Sequence, residues 1–557
     1  MRGALHSRHK MMLVIKRIRA IIEAFSSKER MAFWGTLGCL VVGILFLASY
    51  AWDNVTKIVP AQGGTHTEGI VGQPAYVNPV IANSETDKEL VRLLFSNIIT
   101  LSEKTESSKD KRTWTVRLKE NLYWSDGARL TSDDVVYTVQ KIQDAESGSL
   151  LFSVWQGVLP RRISEQEIEF RLGAPYAFFE QALASLYPIP KHIFETVPPQ
   201  NWKIAPSRLE PVGSGPYVFA TSQIDKNGFV AYYTLRTNEY YAGTAPLIPQ
   251  FTFQFFGTKE DALAAFNLGH IDGIGNLTPT DLASIQRPYE IHAVPLPGYY
   301  AVFMNQGKNL ALQDSAVRTA LSLVIDRNAL VKEVLGGGAD PLTAPFVIAT
   351  REEPKAFPVN EAAQMLEIAG WKLGENGMRE KTERGGMVPL KVTLTVPEGT
   401  LSDVARTLAS AWGKIGITVE LRTLPLEEIS ELAIKNRDYE MLLFGHVLNY
   451  SLDLYPFWHS AERFFPGANL SLYHNARVDT LIEEIRTTID EAARDKKTAE
   501  VTTLIEKDTP AIFLYTPSYL YVSTKDLRGI ETALIKEPAD RFLGTPLWHL
   551  RTARILK

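Results

Sequence analysis

Apart from Cys39, this 557-residue chain has no cysteine. Disulfides and Cys-based zinc sites therefore cannot staple it, and thiol nucleophiles are excluded outside the apolar run that contains Cys39. Other catalytic signatures are missing too. There is no His-Glu-x-x-His motif, no Gly-x-Ser-x-Gly elbow and no Walker loop. His446, His459 and His474 share a region, but their spacing matches no standard ligand set. Asp133 and Asp134 are adjacent at a helix start, where neighbours point apart, so they read as capping and dipole partners. The run Gly336-Gly337-Gly338 follows no strand and precedes no Lys-Ser/Thr pair, so it reads as a helix stop rather than a phosphate cradle. No internal repeat is present. These absences lead us to expect no enzyme, no metal and no cofactor.

Long apolar runs are equally scarce, with one exception. Residues 31–52 (MAFWGTLGCLVVGILFLASYAW) carry no charge, and about 20 such residues cross a bilayer as a helix. Residues 1–30 hold eight Lys/Arg against Glu23 and Glu29. That basic segment is expected to stay cytoplasmic, with everything after residue 52 exported. A cleaved signal peptide and lipidation at Cys39 are the alternative readings. Segment 11–30 mixes basic and apolar residues at near-helical spacing and is expected to lie along the inner leaflet. The chain's net charge is −4 and its first 30 residues carry +6, so the remainder carries −10. An acidic exported part argues against nucleic acid or anionic lipid as its partner. Its length exceeds one ordinary core.

After a linker at 53–64, the pattern predicts a helix over 85–95 and a half-buried strand at 114–118. Thr131 and Asp134 have capping-box spacing before a helix with Val135, Val139 and Ile142. The glycines of Pro211-Val212-Gly213-Ser214-Gly215-Pro216-Tyr217 suggest a tight loop with φ > 0. Asp314 can cap a helix running to Leu335. From Leu390 the pattern is α/β: strands 390–396, 417–422 and 439–444 alternate with helices 402–414 and 426–436. Ligands of such sheets sit beyond the carboxyl ends of the strands, which points to residues 445–450.

Assembled in order, these segments resemble the family 5 extracellular solute-binding proteins, the dipeptide/oligopeptide-binding receptors of ABC importers. The resemblance runs from about residue 72 to 530. It rests on Val77-Asn78-Pro79, Trp114-Thr115-Val116-Arg117-Leu118, Trp124-Ser125-Asp126-Gly127, Asp133-Asp134-Val135-Val136-Tyr137 and Val212-Gly213-Ser214-Gly215-Pro216-Tyr217. It continues through Leu268-Gly269-His270-Ile271-Asp272, Val317-Arg318-Thr319-Ala320-Leu321, Ile325-Asp326-Arg327, Ala369-Gly370-Trp371 and Phe457-Trp458-His459-Ser460. The resemblance implies an α/β fold like the type II periplasmic binding proteins: two hinged lobes, with an extra domain in the first. Lobe I would combine 65–97, 209–297 and 505–557, the extra domain 98–208, and lobe II 298–504.

It further implies a membrane-anchored receptor that closes over a peptide or peptide-like solute and delivers it to an ABC permease in the membrane. A sensing or adhesion module on the same scaffold is the alternative. Expected ligand contacts are His446, Asn449 and Asp453 as polar groups, Tyr299 and Trp458 as aromatic walls, and Asn83 from lobe I. Many peptide-binding members carry Gly-Trp-x-x-Asp, whose aspartate meets the ligand ammonium. Here the segment is Gly445-His446-Val447-Leu448-Asn449, so Asp453 becomes the replacement acid. Two further departures are a short segment between Leu101 and Trp114 and the membrane span itself.

Overall fold

A computed structural model describes residues 24–345, 359–375, 377–383, 386–448, 453–530 and 535–557. The uncharged run forms the middle of a helix, Ser27–Val55. Its window Ser27–Leu47 is long and apolar enough to cross a membrane and is nowhere buried within the protein. The linker expected at 53–64 is largely replaced by structure. The helix passes directly into a strand, Thr56–Ala61, which pairs antiparallel with Arg551–Leu556 at the C-terminus. Both strands are largely exposed, so neither shows the alternation that reveals a half-buried strand. The C-terminal residues assigned to lobe I thus end in a ribbon of their own. These segments form one compact unit, and Gln62–Leu550 form the other.

The second unit is built on a twelve-stranded sheet. Its middle is the strand Ala511–Ser523, thirteen residues long and buried for most of its length. Residues 511–515 pair with Gly298–Met304, and residues 518–523 pair with Glu290–Pro295. One half of the sheet continues through Gly273–Leu277, Thr65–Val71, Gln250–Phe256, Val230–Thr237 and Tyr217–Ile224. The other continues through Met441–Val447, Lys391–Pro397 and Thr418–Leu424. The α/β alternation read from residue 390 onward is present: the last two strands run parallel, with the helix Thr400–Gly413 between them. The chain crosses between the halves at 295–298 and again within the shared strand, later than the return expected at residue 505.

Each side of the second half carries its own core. In Gly298–Met304, Val302 and Met304 face one core, while Tyr299, Ala301 and Phe303 face the other. A four-stranded sheet, Ser102–Ser107, Thr113–Leu118, Glu167–Arg171 and Leu159–Arg162, forms the extra domain with the helix Ser132–Ile142. The expected capping box of Thr131 and Asp134 is made.

Two local expectations change. Asp314 caps a helix of only nine residues, Ser315–Leu323, because Asp326 caps a new one at the backbone N–H of Ala329. The glycines of the 211–217 loop serve close approach rather than φ > 0. A Cβ at Gly213 would lie 1.9 Å from the Leu94 carbonyl oxygen.

The C-terminal return into the first half is fastened by buried charge. Arg541 donates to Glu89 at 2.6 Å and to Glu68 at 3.1 Å, and Glu68 also accepts from Tyr521 at 2.9 Å. Burial would push the Glu68 carboxyl up, but hydrogen bonding from His66 and the Arg541 charge hold it below the usual range. Replacing Arg541 strands two buried acids. Arg541→Met should lower stability by about 3–5 kcal/mol, read as a lower urea midpoint. Adding Glu68→Gln and Glu89→Gln should recover much of that loss. A single-variant loss under about 1 kcal/mol would contradict the role given to this cluster.

Candidate functional site

A cleft of about 1100 Å³ opens between the two halves of the large unit. One wall comes from the segment around Pro79 and Arg92 and from the extra domain, with Trp155, Tyr176 and Phe179. The opposite wall comes from Leu448, Asp453, Tyr455, Pro456, Phe457 and the helix Ala476–Thr487, which supplies Arg486. The pocket therefore lies past the carboxyl end of Met441–Val447, as the sheet rule requires. It begins at Leu448 rather than Gly445.

Asp453 is the acid in this wall. Its Oδ2 accepts from the Tyr176 hydroxyl at 3.2 Å and lies 3.1 Å from Arg486 Nε, while Oδ1 accepts the Tyr455 backbone N–H at 3.1 Å. The Arg486 guanidinium in turn sits 4.5 Å from the Tyr455 ring centre and 5.4 Å from that of Tyr176. Asp453 is thus a held, charge-compensated carboxylate rather than a bare one. Tyr176 comes from the extra domain and Asp453 from the second lobe, so this contact spans the cleft. Beside it, the Ala177 N–H donates to the Arg486 carbonyl at 2.7 Å, and Phe178 is buried in the second lobe's core.

Three expected contacts lie elsewhere. Tyr299, His446 and Trp458 sit together behind the wall, in the core, and not on the cleft surface. Their positions follow from strand parity: Tyr299 alternates with Val302 and Met304 and so faces the core under the helices Ala476–Thr487 and Glu491–Asp508. They form one hydrogen-bonded chain. Trp458 Nε1 donates to the Tyr299 hydroxyl at 3.1 Å, and that hydroxyl is 2.8 Å from His446 Nδ1. Phe457 lines the cleft and packs its ring 4.7 Å from that of His446. The trio therefore braces the wall.

Asn83 is exposed, between Ala82, which lines the cleft, and Ser84, which caps the helix Glu85–Leu94. Asn449 lies outside the described residues; its neighbour Leu448 lines the cleft. Among the described residues, no group of three or more acidic, histidine or cysteine side chains is arranged to hold a metal ion.

The model for the bacterial extracellular solute-binding proteins, family 5, matches residues 80–463. The chain belongs to this family. It is similar to the oligopeptide-binding protein AppA of Bacillus subtilis, with 27% identity over 499 residues covering 84% of this chain and 89% of AppA. The solved structure of that protein in complex with a nonapeptide aligns at a TM-score of 0.65 with 25% identity, covering 88% of this chain and all of AppA (100%). The substrate-binding protein CtaP of Listeria monocytogenes aligns at 0.74 with 22% identity, covering 88% and 99%. By name, AppA is an oligopeptide-binding protein and CtaP an ABC transporter substrate-binding protein, and the fold is of the type II periplasmic-binding-protein kind.

Sequence reasoning missed Arg486, Tyr176 and Tyr455. Arg486 sits on an amphipathic helix among other charges, and Tyr176 lies 277 positions from the aspartate it meets. No local pattern marks either one.

Burial pushes the His446 imidazolium down to about 3. The unfolded chain takes up this proton near pH 6.5, while the folded chain does not until far lower. Stability is then lost as pH falls from about 6.5 toward 3, at up to about 1.4 kcal/mol per unit from this residue. His446→Gln should flatten the acid limb of the stability curve by about one proton. An unchanged slope in urea melts across that range would contradict a buried neutral His446.

Proposed function

We propose that this chain is the membrane-anchored receptor of an ABC importer, capturing oligopeptides between its lobes and passing them to a permease. The observation that carries this reading is the cleft with Asp453 held on its wall. Its volume, about 1100 Å³, exceeds the range of about 300–1000 Å³ usual for small-molecule pockets. That favours an extended oligopeptide over a single amino acid. The relatives named for oligopeptide binding support the same class of ligand.

In this reading the peptide's ammonium shares Asp453 with Arg486. Arg486 pairs with and orients the carboxylate, so ligand entry does not begin from an unpaired buried acid. Asn83 contributes from the first lobe, and Tyr299, His446 and Trp458 fix the wall behind. Residues 1–30 face the cytoplasm, residues 31–52 of the helix Ser27–Val55 span the membrane, and the binding unit is outside. The anchor raises the receptor's effective concentration at the permease without any added contact.

Native mass spectrometry of the full chain in detergent, mixed with an oligopeptide library, tests this directly. The parent should retain peptides, and Asp453→Asn should weaken retention at least tenfold, about 1.4 kcal/mol. Equal retention by the variant would remove Asp453 from the site. Retention of no peptide by the parent would remove the ligand class.

A further inference from the structure

The ribbon formed by Thr56–Ala61 and Arg551–Leu556 lies outside everything the cleft explains. A two-stranded ribbon alone in water is marginal at best, yet this one forms a sheet by itself. Directly opposed residues share a face. One face carries Ile58, Arg554 and Leu556; the other carries Lys57, Val59, Ile555 and Arg551. Ile58 is 62% exposed and Leu556 69%. Both faces therefore combine apolar tips with cations. A ribbon docked on a folded protein would concentrate its apolar residues on one face. The charge is also local: the chain after residue 30 is acidic overall, but its last seven residues hold three cations and no acidic side chain.

Position supplies the occupant. The 22 residues 31–52 span about 33 Å as a helix, close to the roughly 30 Å hydrocarbon thickness of a bilayer. Thr56 follows four residues later, about 6 Å further on, at the depth of the headgroups. The last residue closes on the same point, since the Lys557 N–H donates to the Val55 carbonyl at 2.8 Å. We propose that this ribbon is a binding site for anionic phospholipid headgroups, its cations on phosphates and its apolar tips in the interfacial layer. This rests on the helix being retained in the membrane, and it goes beyond the cleft's role.

The test uses the full chain with Cys39→Ala and a single fluorophore on Thr552→Cys, in nanodiscs whose lipids carry headgroup quenchers. With phosphatidylglycerol present, quenching should rise at least about twofold over phosphatidylcholine alone and fall again at high salt. The combined variant Lys57→Gln, Arg551→Gln, Lys557→Gln should lose that lipid dependence. Elution of the chain apart from the nanodiscs would overturn both the anchor and the ribbon's role. Co-elution with equal quenching in the two lipids would overturn the ribbon's role alone. Shielding of the label that requires an added permease instead of lipid would also overturn it, by assigning the ribbon to a protein.

Discussion

The molecule depends on one strand belonging to two lobes. Ala511–Ser523 pairs with the second lobe through its first seven residues, the last of them opposite Ala339–Pro341, and with the first lobe through its last six. Pro517 stands at the changeover, opposite Ala339, where it has no N–H to donate. The second crossing, at 295–298, is tied to the same point: the Leu296 N–H donates to the Pro517 carbonyl at 3.2 Å, and the Thr516 hydroxyl donates to the Leu296 carbonyl at 3.1 Å. The two crossings between the halves thus lie side by side, confined to a few residues, which is the placement a hinge needs.

Rigidity around that hinge comes from cations committed to backbone. Arg327 is buried, its pKa lowered by burial to about 10, and it donates to the carbonyls of Phe513 at 2.7 Å and Leu342 at 3.1 Å. Arg318 reaches the carbonyls of Leu312 at 2.9 Å and Asp508 at 2.8 Å. Both guanidiniums brace the start of the shared strand and the helix before it, and neither lines the cleft. The Arg541 cluster does the same for the first lobe.

This division explains what the sequence revealed and what it hid. Motifs such as Val317-Arg318 and Asp326-Arg327 are legible because caps and carbonyl staples demand particular residues at short spacing. The strands and helices from Leu390 are legible because each buries a periodic face. The cleft itself depends on residues hundreds of positions apart, and its chemistry was read only through Asp453. Tyr299, His446 and Trp458 carry the right chemistry for a ligand wall, but strand parity turned them into the core. Arg486 and Tyr176 are ordinary surface residues until the fold brings them to Asp453. The ribbon was hidden for a different reason: a strand exposed on both faces has no apolar alternation to betray it.

The central claim is that the lobes pivot about the shared strand when a ligand enters. Distance measurement by energy transfer tests it, using the full chain with Cys39→Ala and labels at Leu150 on the extra domain and Leu426 on the second lobe. Saturating oligopeptide should shift the pair to a shorter distance. A distance that stays unchanged while peptide is demonstrably bound would contradict the hinge.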